Sequence, residues 1–230
     1  MDKIRIAING FGRIGRAFFK VAEKYPEFEI ISVNDLGDPE NLVYLLRYDT
    51  VYGKIDSEIA LEKAGRKHVL TIDKKHVLLL NQKDPAYLPW KELDIDIVVE
   101  ATGVFASYAK SQAHLSAGAR RVVVTAPVKD EPVGGVIGAT VLMGVNEEKL
   151  KTCDISSNAS CTTNAGSPLV AILDEEIGIE KALLNTVHGY TASQGLVDGP
   201  AKKDFRRGRA AAQNIVPSTT GAAIATTKAI

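Results

Sequence analysis

Short apolar runs alternate with longer amphipathic stretches over the first half of the chain, and the alternation predicts strands and helices taking turns. Residues 4–8 form a β-branched run that reads as a strand, residues 17–24 carry helical spacing closed by Pro26, and residues 28–33 read as a second strand. Asp38-Pro39-Glu40 opens a short helix through Arg47. Between residues 55 and 81 the alternation has a period of two, with turn signals at Ala64-Gly65 and Asp73-Lys74-Lys75, which predicts antiparallel strands. Residues 95–100 and 121–125 are continuous apolar runs suited to the interior of a parallel sheet. A glycine-rich segment at 128–138 precedes a further predicted strand at 140–145.

The pattern then changes. A polar stretch at 156–164, reading SSNASCTTN, feeds directly into apolar positions with helical spacing (Leu169, Val170, Ile172, Leu173, Ile177), ended by Gly178. Residues 182–187 read as a strand leading into His188-Gly189-Tyr190-Thr191, residues 192–209 have almost no periodicity, and residues 222–230 read as a helix. The domain boundary is placed near Ser160.

The first strand runs without a gap into Asn9-Gly10-Phe11-Gly12-Arg13-Ile14-Gly15-Arg16. Strand, glycine turn, helix, strand is the order of a Rossmann-type dinucleotide-binding unit, in which Gly10 permits the tight turn, Gly12 admits the pyrophosphate and Gly15 lets the helix pack closely. Asp35, 20 residues after Gly15 at the end of the second strand, is placed to accept hydrogen bonds from a ribose diol. Its charge would repel a 2′-phosphate, and Leu36-Gly37 supply no compensating cation, so NAD is expected rather than NADP. The cofactor set is Gly10, Phe11, Gly12, Arg13, Ile14 and Asp35. Thr102, Gly103 and Thr125 join it because ligands of open α/β sheets bind beyond the carboxyl ends of the strands.

Bulk properties narrow the function classes. A chain of 230 residues with 45% hydrophobic content is long enough for one large domain or two smaller ones. Lys plus Arg and Asp plus Glu are 28 each, so the overall balance points to neither a nucleic-acid nor a membrane partner. Two cysteines, Cys153 and Cys161, are too few for a disulfide framework. No leader pattern or bilayer-length apolar run is apparent, and a cytoplasmic location is expected. No metal site is expected. His68 and His76 read as surface strand residues without a catalytic role.

Candidate chemistry centres on Cys161. Ser160 can cap the helix that follows, which puts Cys161 in the first turn, where unpaired N–H groups and the helix dipole favour a thiolate. Thr162, Thr163 and Asn164 surround the sulfur with donors and acceptors. Covalent catalysis also needs a base, and His188, near neutrality at physiological pH, is suited to the task.

Residues 157–164 resemble the active-site signature of the phosphorylating glyceraldehyde-3-phosphate dehydrogenases, and the resemblance runs from residue 4 to residue 230. It implies a dinucleotide-binding domain over 1–160 followed by an incomplete α+β catalytic domain over 161–230. The implied reaction is NAD-dependent oxidative phosphorylation of D-glyceraldehyde 3-phosphate to 1,3-bisphosphoglycerate through a Cys161 thioester, with His188 as base. By position, Ser160, Thr162, Thr191, Arg207, Thr220 and Gly221 match the residues that hold the substrate phosphate and inorganic phosphate. Hydroxyls, a guanidinium and a helix N-terminus suit that task. Lys83 stands where many relatives carry an arginine near the adenine. Gly189, Ala192-Ser193 and Ala165 depart from the family's usual wording.

Lys202, Lys203, Arg206, Arg207 and Arg209 form a basic run interrupted by Asp204. It reads as a solvated or subunit-facing loop, and the resemblance implies that it reaches a neighbour's cofactor site in a homotetramer. Relatives of this family continue past the position of Ile230, through the sheet that completes the catalytic domain. Two alternatives therefore stand beside the leading reading: a catalytically silent NAD-binding or subunit-interaction module, and a related cysteine-dependent enzyme acting on erythrose 4-phosphate or aspartate semialdehyde.

Overall fold

The computed structural model describes residues 3–65, 67–202 and 204–230. The chain divides into two compact units, Met1–Ser160 with Ala229, and Cys161–Lys228 with Ile230.

The first unit runs β1 (Ile4–Asn9), α1 (Arg13–Ala22), β2 (Phe28–Asn34), α2 (Pro39–Arg47), β3 (Ile59–Ala64), β4 (Lys67–Ile72) and β5 (Lys75–Leu80). It continues through β6 (Ile97–Glu100), α3 (Tyr108–Ser116), β7 (Arg121–Val124), β8 (Gly138–Thr140) and β9 (Ile155–Ser157). Among the described residues the nine strands form one sheet in the order β3-β4-β5-β2-β1-β6-β7-β9-β8. The pairings within β3-β4-β5 are antiparallel and those from β5 to β8 are parallel. This is the α/β class that the sequence pattern predicts.

Both faces of the parallel section are covered, so the centres of its strands carry apolar residues on successive positions rather than in strict alternation. Ile6 and Ile8 join one core cluster with Phe11, Phe19, Val33 and Leu46, while Ala7 between them joins the other with Trp90, Val98, Tyr108 and Ile155. The strand order reverses at β1, which lies between β2 and β6. The crevice beyond the carboxyl ends of β1 and β6 is therefore the topological switch point, where such sheets place ligands.

Local chemistry moves several boundaries. The first helix starts at Arg13, not residue 17, because the turn closes at Gly12 and helical geometry begins at once. It ends at Ala22, where Glu23 caps it and Lys24 and Tyr25 donate to the carbonyls of Val21 and Ala22. Asp38 caps α2 by accepting from the Asn41 N–H at 2.9 Å, with Pro39 at the first turn as its sequence suggests. The strand expected at 140–145 is confined to Gly138–Thr140. Gly144 adopts φ +75° and the Asn146 side chain accepts from the Leu142 N–H at 2.8 Å, so the chain turns there.

A strand not anticipated from the pattern is β9. Its Ser156 and Ser157 look like loop residues, yet both are buried, and the Ser157 hydroxyl donates to the Ala126 carbonyl at 2.8 Å. His68 is half-buried rather than on the surface.

The second unit holds α4 (Cys161–Ile177) and α5 (Ala222–Ala229), apart from Ala229. Residues 182–187 form no strand despite their apolar alternation. A strand needs a neighbour for its N–H and C=O groups, and among the described residues none pairs with this segment: Leu183 and Val187 are 95% and 93% exposed. Among the described residues, no helix is long and apolar enough to cross a membrane.

Phe19 is fully buried and meets Phe11 edge-on at 5.7 Å. Phe19→Ala is expected to cost about 3–5 kcal/mol of stability in urea unfolding. Val21→Ala, on the exposed side of α1, should stay within about 0.5 kcal/mol.

Candidate active site

The glycine turn between β1 and α1 is built around close backbone contacts. Gly10 takes φ +94°, and a Cβ there would lie 2.6 Å from the Thr102 nitrogen. A Cβ on Gly15 would overlap the Gly10 carbonyl, so only glycine lets α1 approach the strand this closely. Over Gly12 the space is open, with nothing within 4 Å of an added Cβ. Gly12 caps α1 with no side-chain hydrogen bond, leaving the first-turn N–H groups, including those of Arg13 and Ile14, without intrahelical acceptors. An open space over a glycine at an uncapped helix N-terminus fits a pyrophosphate.

Asp35 stands beside this turn. Its Oδ2 accepts from the Phe11 N–H at 2.6 Å and its Oδ1 from the Gly37 N–H at 2.8 Å. Each carboxylate oxygen keeps a further lone pair for a diol. Phe11 enters only through its backbone, because its ring is buried against Phe19. The Arg13 guanidinium pairs with Asp49 at 2.5 Å, and that bond holds the Asp49 carboxyl well below the usual range. The Ile14 side chain is exposed.

The remaining first-unit positions lie at neighbouring strand ends. Thr102 donates its N–H to Glu100 Oε1 at 2.8 Å and its hydroxyl to the same oxygen, while Gly103 takes φ +72°. Thr125 donates its N–H at 3.0 Å and its hydroxyl at 3.1 Å to the Glu100 carbonyl. Exposed Lys83 follows Gln82, whose N–H donates to Asn34 Oδ1 at 2.8 Å. Ser160 closes this unit, one residue after Ala159, which holds a left-handed backbone at φ 53°.

In the second unit Cys161 is the first residue of α4 and is exposed. Its Sγ lies 3.1 Å from His188 Nε2, and His188 Nδ1 donates to the Gly189 carbonyl at 2.6 Å. With Nδ1–H committed, Nε2 is the nitrogen that faces the sulfur. It either accepts from a thiol or, as imidazolium, donates to a thiolate. The hydrogen bond with His188 draws the Cys161 thiol below its ordinary value against the opposing effect of partial burial, with bonds from Thr162 acting in the same direction. The same bond to Cys161 raises His188, with the Gly189 carbonyl adding to it.

A cleft of about 540 Å³ in this unit is lined by Thr162, His188, Thr191, Arg207 and Thr220 among others. Five of the eight catalytic and phosphate candidates thus share one wall. Cys161 joins them through His188, and Gly221 caps α5 next to Thr220, whose Oγ1 accepts from the Ala222 N–H at 3.1 Å. Thr191 Oγ1 and Ser193 Oγ are 2.9 Å apart.

Two of the four described members of the basic run, Arg206 and Arg209, pair with acids of the same loop. Arg206 makes a two-pronged contact with Asp204 at 3.0 and 2.8 Å, and Arg209 pairs with Asp198 at 2.6 Å. Lys203 lies outside the described residues. Among the described residues no group of three or more His, Cys, Asp or Glu side chains could hold a metal ion.

Several structural partners of the site escape sequence reasoning. Arg16 is buried and its Nη1 donates to the Phe11 carbonyl at 2.8 Å, bracing the turn from below. Asn9, Asn34 and Glu100 are polar residues at the carboxyl ends of parallel strands, and that placement is the signal that could have marked them.

A glycine turn of the dinucleotide-binding kind on a parallel sheet, in a chain that also carries a cysteine–histidine pair, belongs to the class of dehydrogenase-type nucleotide-binding proteins. Residues 4–108 match the family described as glyceraldehyde 3-phosphate dehydrogenase, NAD binding domain, and residues 160–230 match its C-terminal domain. Similar proteins include glyceraldehyde-3-phosphate dehydrogenase of Streptomyces coelicolor, 46% identical over 97% of this chain and 64% of its own length. Another is glyceraldehyde-3-phosphate dehydrogenase 2 of Bacillus subtilis, 48% identical over 96% of this chain and 62% of its own. The cytosolic enzyme of Trypanosoma brucei brucei is 44% identical over 98% of this chain and 65% of its own. The chain therefore belongs to the glyceraldehyde-3-phosphate dehydrogenase family and carries its NAD-binding domain, and it spans a little under two thirds of the length of these relatives.

Cys153 is buried, which pushes its thiol up, whereas Cys161 is exposed and drawn down. Iodoacetamide should alkylate Cys161 well before Cys153, as read by peptide mass spectrometry. The thiolate exists above the Cys161 pKa, so its alkylation falls off as pH drops through that depressed value. His188→Ala removes the main cause of the depression, and the alkylation profile should move to higher pH.

Proposed function

We propose that this chain performs, within the complete protein, the NAD-dependent oxidative phosphorylation of D-glyceraldehyde 3-phosphate to 1,3-bisphosphoglycerate. The observation that carries the reading is the 3.1 Å approach of Cys161 Sγ to His188 Nε2. A thiolate so paired adds to the aldehyde carbon and forms a hemithioacetal. The imidazolium gives its Nε2 proton to the developing oxyanion, and the neutral Nε2 so formed takes the hydroxyl proton back as the carbon loses hydride. NAD, when bound, supplies the hydride acceptor. Cys161 is then acylated as a thioester, and inorganic phosphate attacks that carbonyl, breaking the C–S bond and returning the thiolate. In this reading Thr162, Thr191, Arg207, Thr220 and Gly221, with Ser160, hold the two phosphate groups, by hydroxyl and charge-assisted hydrogen bonds.

On the cofactor side, Gly10, Phe11, Gly12, Arg13 and Ile14 cradle the pyrophosphate, Asp35 takes the ribose diol, and Lys83, Thr102, Gly103 and Thr125 line the remaining cleft. The 1–160 and 161–230 division serves as the boundary between cofactor and catalytic domains. A cytoplasmic homotetramer, with the 192–209 loop turned to a neighbour, completes the proposal.

One observation favours a second reading. Leu183 and Val187 stand 95% and 93% exposed on a segment with no strand neighbour among the described residues, so this length of chain by itself suits a silent NAD-binding or subunit-interaction module. A single set of measurements separates the two. With NAD, glyceraldehyde 3-phosphate and phosphate, the first reading gives a stoichiometric burst of NADH absorbance that Cys161→Ser abolishes while leaving NAD affinity within about twofold. NAD binding without a burst gives the second. A larger burst with erythrose 4-phosphate or aspartate semialdehyde would transfer the chemistry to that substrate. Asp35→Asn should weaken NAD binding roughly tenfold and narrow its advantage over NADP, as read by calorimetry.

A further inference from the structure

A buried chain of polar groups, anchored at one end by the indole N–H of the core residue Trp90, runs beneath the cofactor crevice, and its members are not used in the reaction proposed above. Trp90 Nε1–H donates to His114 Nδ1 at 2.9 Å. An indole N–H can only donate, so His114 Nδ1 accepts and the ring carries its proton on Nε2. His114 Nε2 lies 3.0 Å from Glu100 Oε2 and donates to it. Asn9 Nδ2 donates to the same oxygen at 2.5 Å. Asn9 Oδ1 in turn accepts from Asn34 Nδ2 at 2.7 Å, and Asn34 bonds the backbone of Gln82 in both directions, at 2.9 and 2.8 Å. Trp90 and His114 are 0% exposed and Glu100 is 1% exposed.

The relay touches each part of the crevice one or two residues away. Asn9 precedes Gly10, Asn34 precedes Asp35, Gln82 precedes Lys83, and Glu100 holds both the N–H and the hydroxyl of Thr102 on Oε1. Thr102 is itself in contact range of Gly10, since a Cβ on that glycine would meet its nitrogen at 2.6 Å. A buried carboxylate is stable only with its lone pairs satisfied. Glu100 has one oxygen committed to Thr102 and the other to Asn9 and His114, which leaves its side chain a single favourable orientation.

We propose that His114 and Trp90 are positioning residues for the dinucleotide: by fixing the histidine tautomer they anchor Glu100, and Glu100 sets the placement of Thr102 and of the Asn9–Gly10 turn. The inference rests on the reading that the crevice holds NAD. It adds two residues of the layer beneath, one of them on α3, that touch neither cofactor nor substrate.

The test is NAD binding to the full chain by calorimetry, joined to emission from Trp90, the only tryptophan in the sequence. NAD binding to the wild type is expected to change that emission, because the ring is bonded into the relay. His114→Leu removes both bonds and is expected to weaken NAD binding about tenfold or more. His114→Gln, whose amide can donate to Glu100 and accept from Trp90, is expected to stay within about threefold of wild type. Trp90→Phe keeps an aromatic ring and drops only the N–H donor; it should weaken binding several-fold and supports the proposal even if His114→Leu fails to fold. In a double-mutant cycle, the penalties of Trp90→Phe and Thr102→Val should be less than additive, a coupling that a merely structural role would not produce.

Wild-type affinity in Trp90→Phe, equal losses in the Gln and Leu variants, or strict additivity with Thr102→Val would overturn the proposal while leaving NAD binding in place. Failure of the wild-type chain to bind NAD at all would overturn it together with the cofactor reading.

Discussion

Burying both faces of a parallel sheet leaves one region where polar chemistry can be done, the carboxyl ends of the strands, and the first unit is arranged around that constraint. Along β1 and β6 the interior positions Ile6, Ala7, Ile8, Val98 and Val99 are apolar and committed to one or the other core cluster. The last residues, Asn9, Asn34 and Glu100, are polar and buried, and each is satisfied by another side chain or by backbone. Because unpaired buried polar groups are costly, these contacts stabilise one arrangement of the loops above them. The cofactor crevice is thus a by-product of the same accounting that holds the sheet together.

The second unit solves a different problem. A thiol is a poor nucleophile until it loses its proton, and at Cys161 three influences favour that loss: the start of a helix, bonds from Thr162 and an imidazole at 3.1 Å. The Gly189 carbonyl orients the imidazole by holding Nδ1–H. Nothing about Cys153 is comparable, since burial there favours the neutral thiol. Two cysteines eight positions apart in sequence are driven in opposite directions by their surroundings.

Much of this was legible from residue order, for reasons that differ by element. The glycine turn was readable because Gly10 and Gly15 answer to steric limits that no other residue meets. Asp38-Pro39 marked α2 because cap chemistry is local. Ile155–Ser157 was not readable as a strand, since its buried serines are tolerated only by a distant acceptor, the Ala126 carbonyl. Residues 182–187 erred in the opposite direction, for a strand pattern becomes a strand only beside a partner. His114 was invisible because nothing in its own neighbourhood of the sequence points to Trp90 or Glu100; the three meet only when the sheet and α3 assemble.

The outermost strand of the antiparallel section, β3, has a quieter role. It alternates its partly buried Leu61 with exposed Glu62 and continues into exposed Lys63, and charges along an open edge discourage another strand from docking there. At the opposite margin β8 is only three residues long, too brief to template an addition. The sheet therefore presents on both sides a margin poorly suited to zipping onto another sheet as a continuous ribbon.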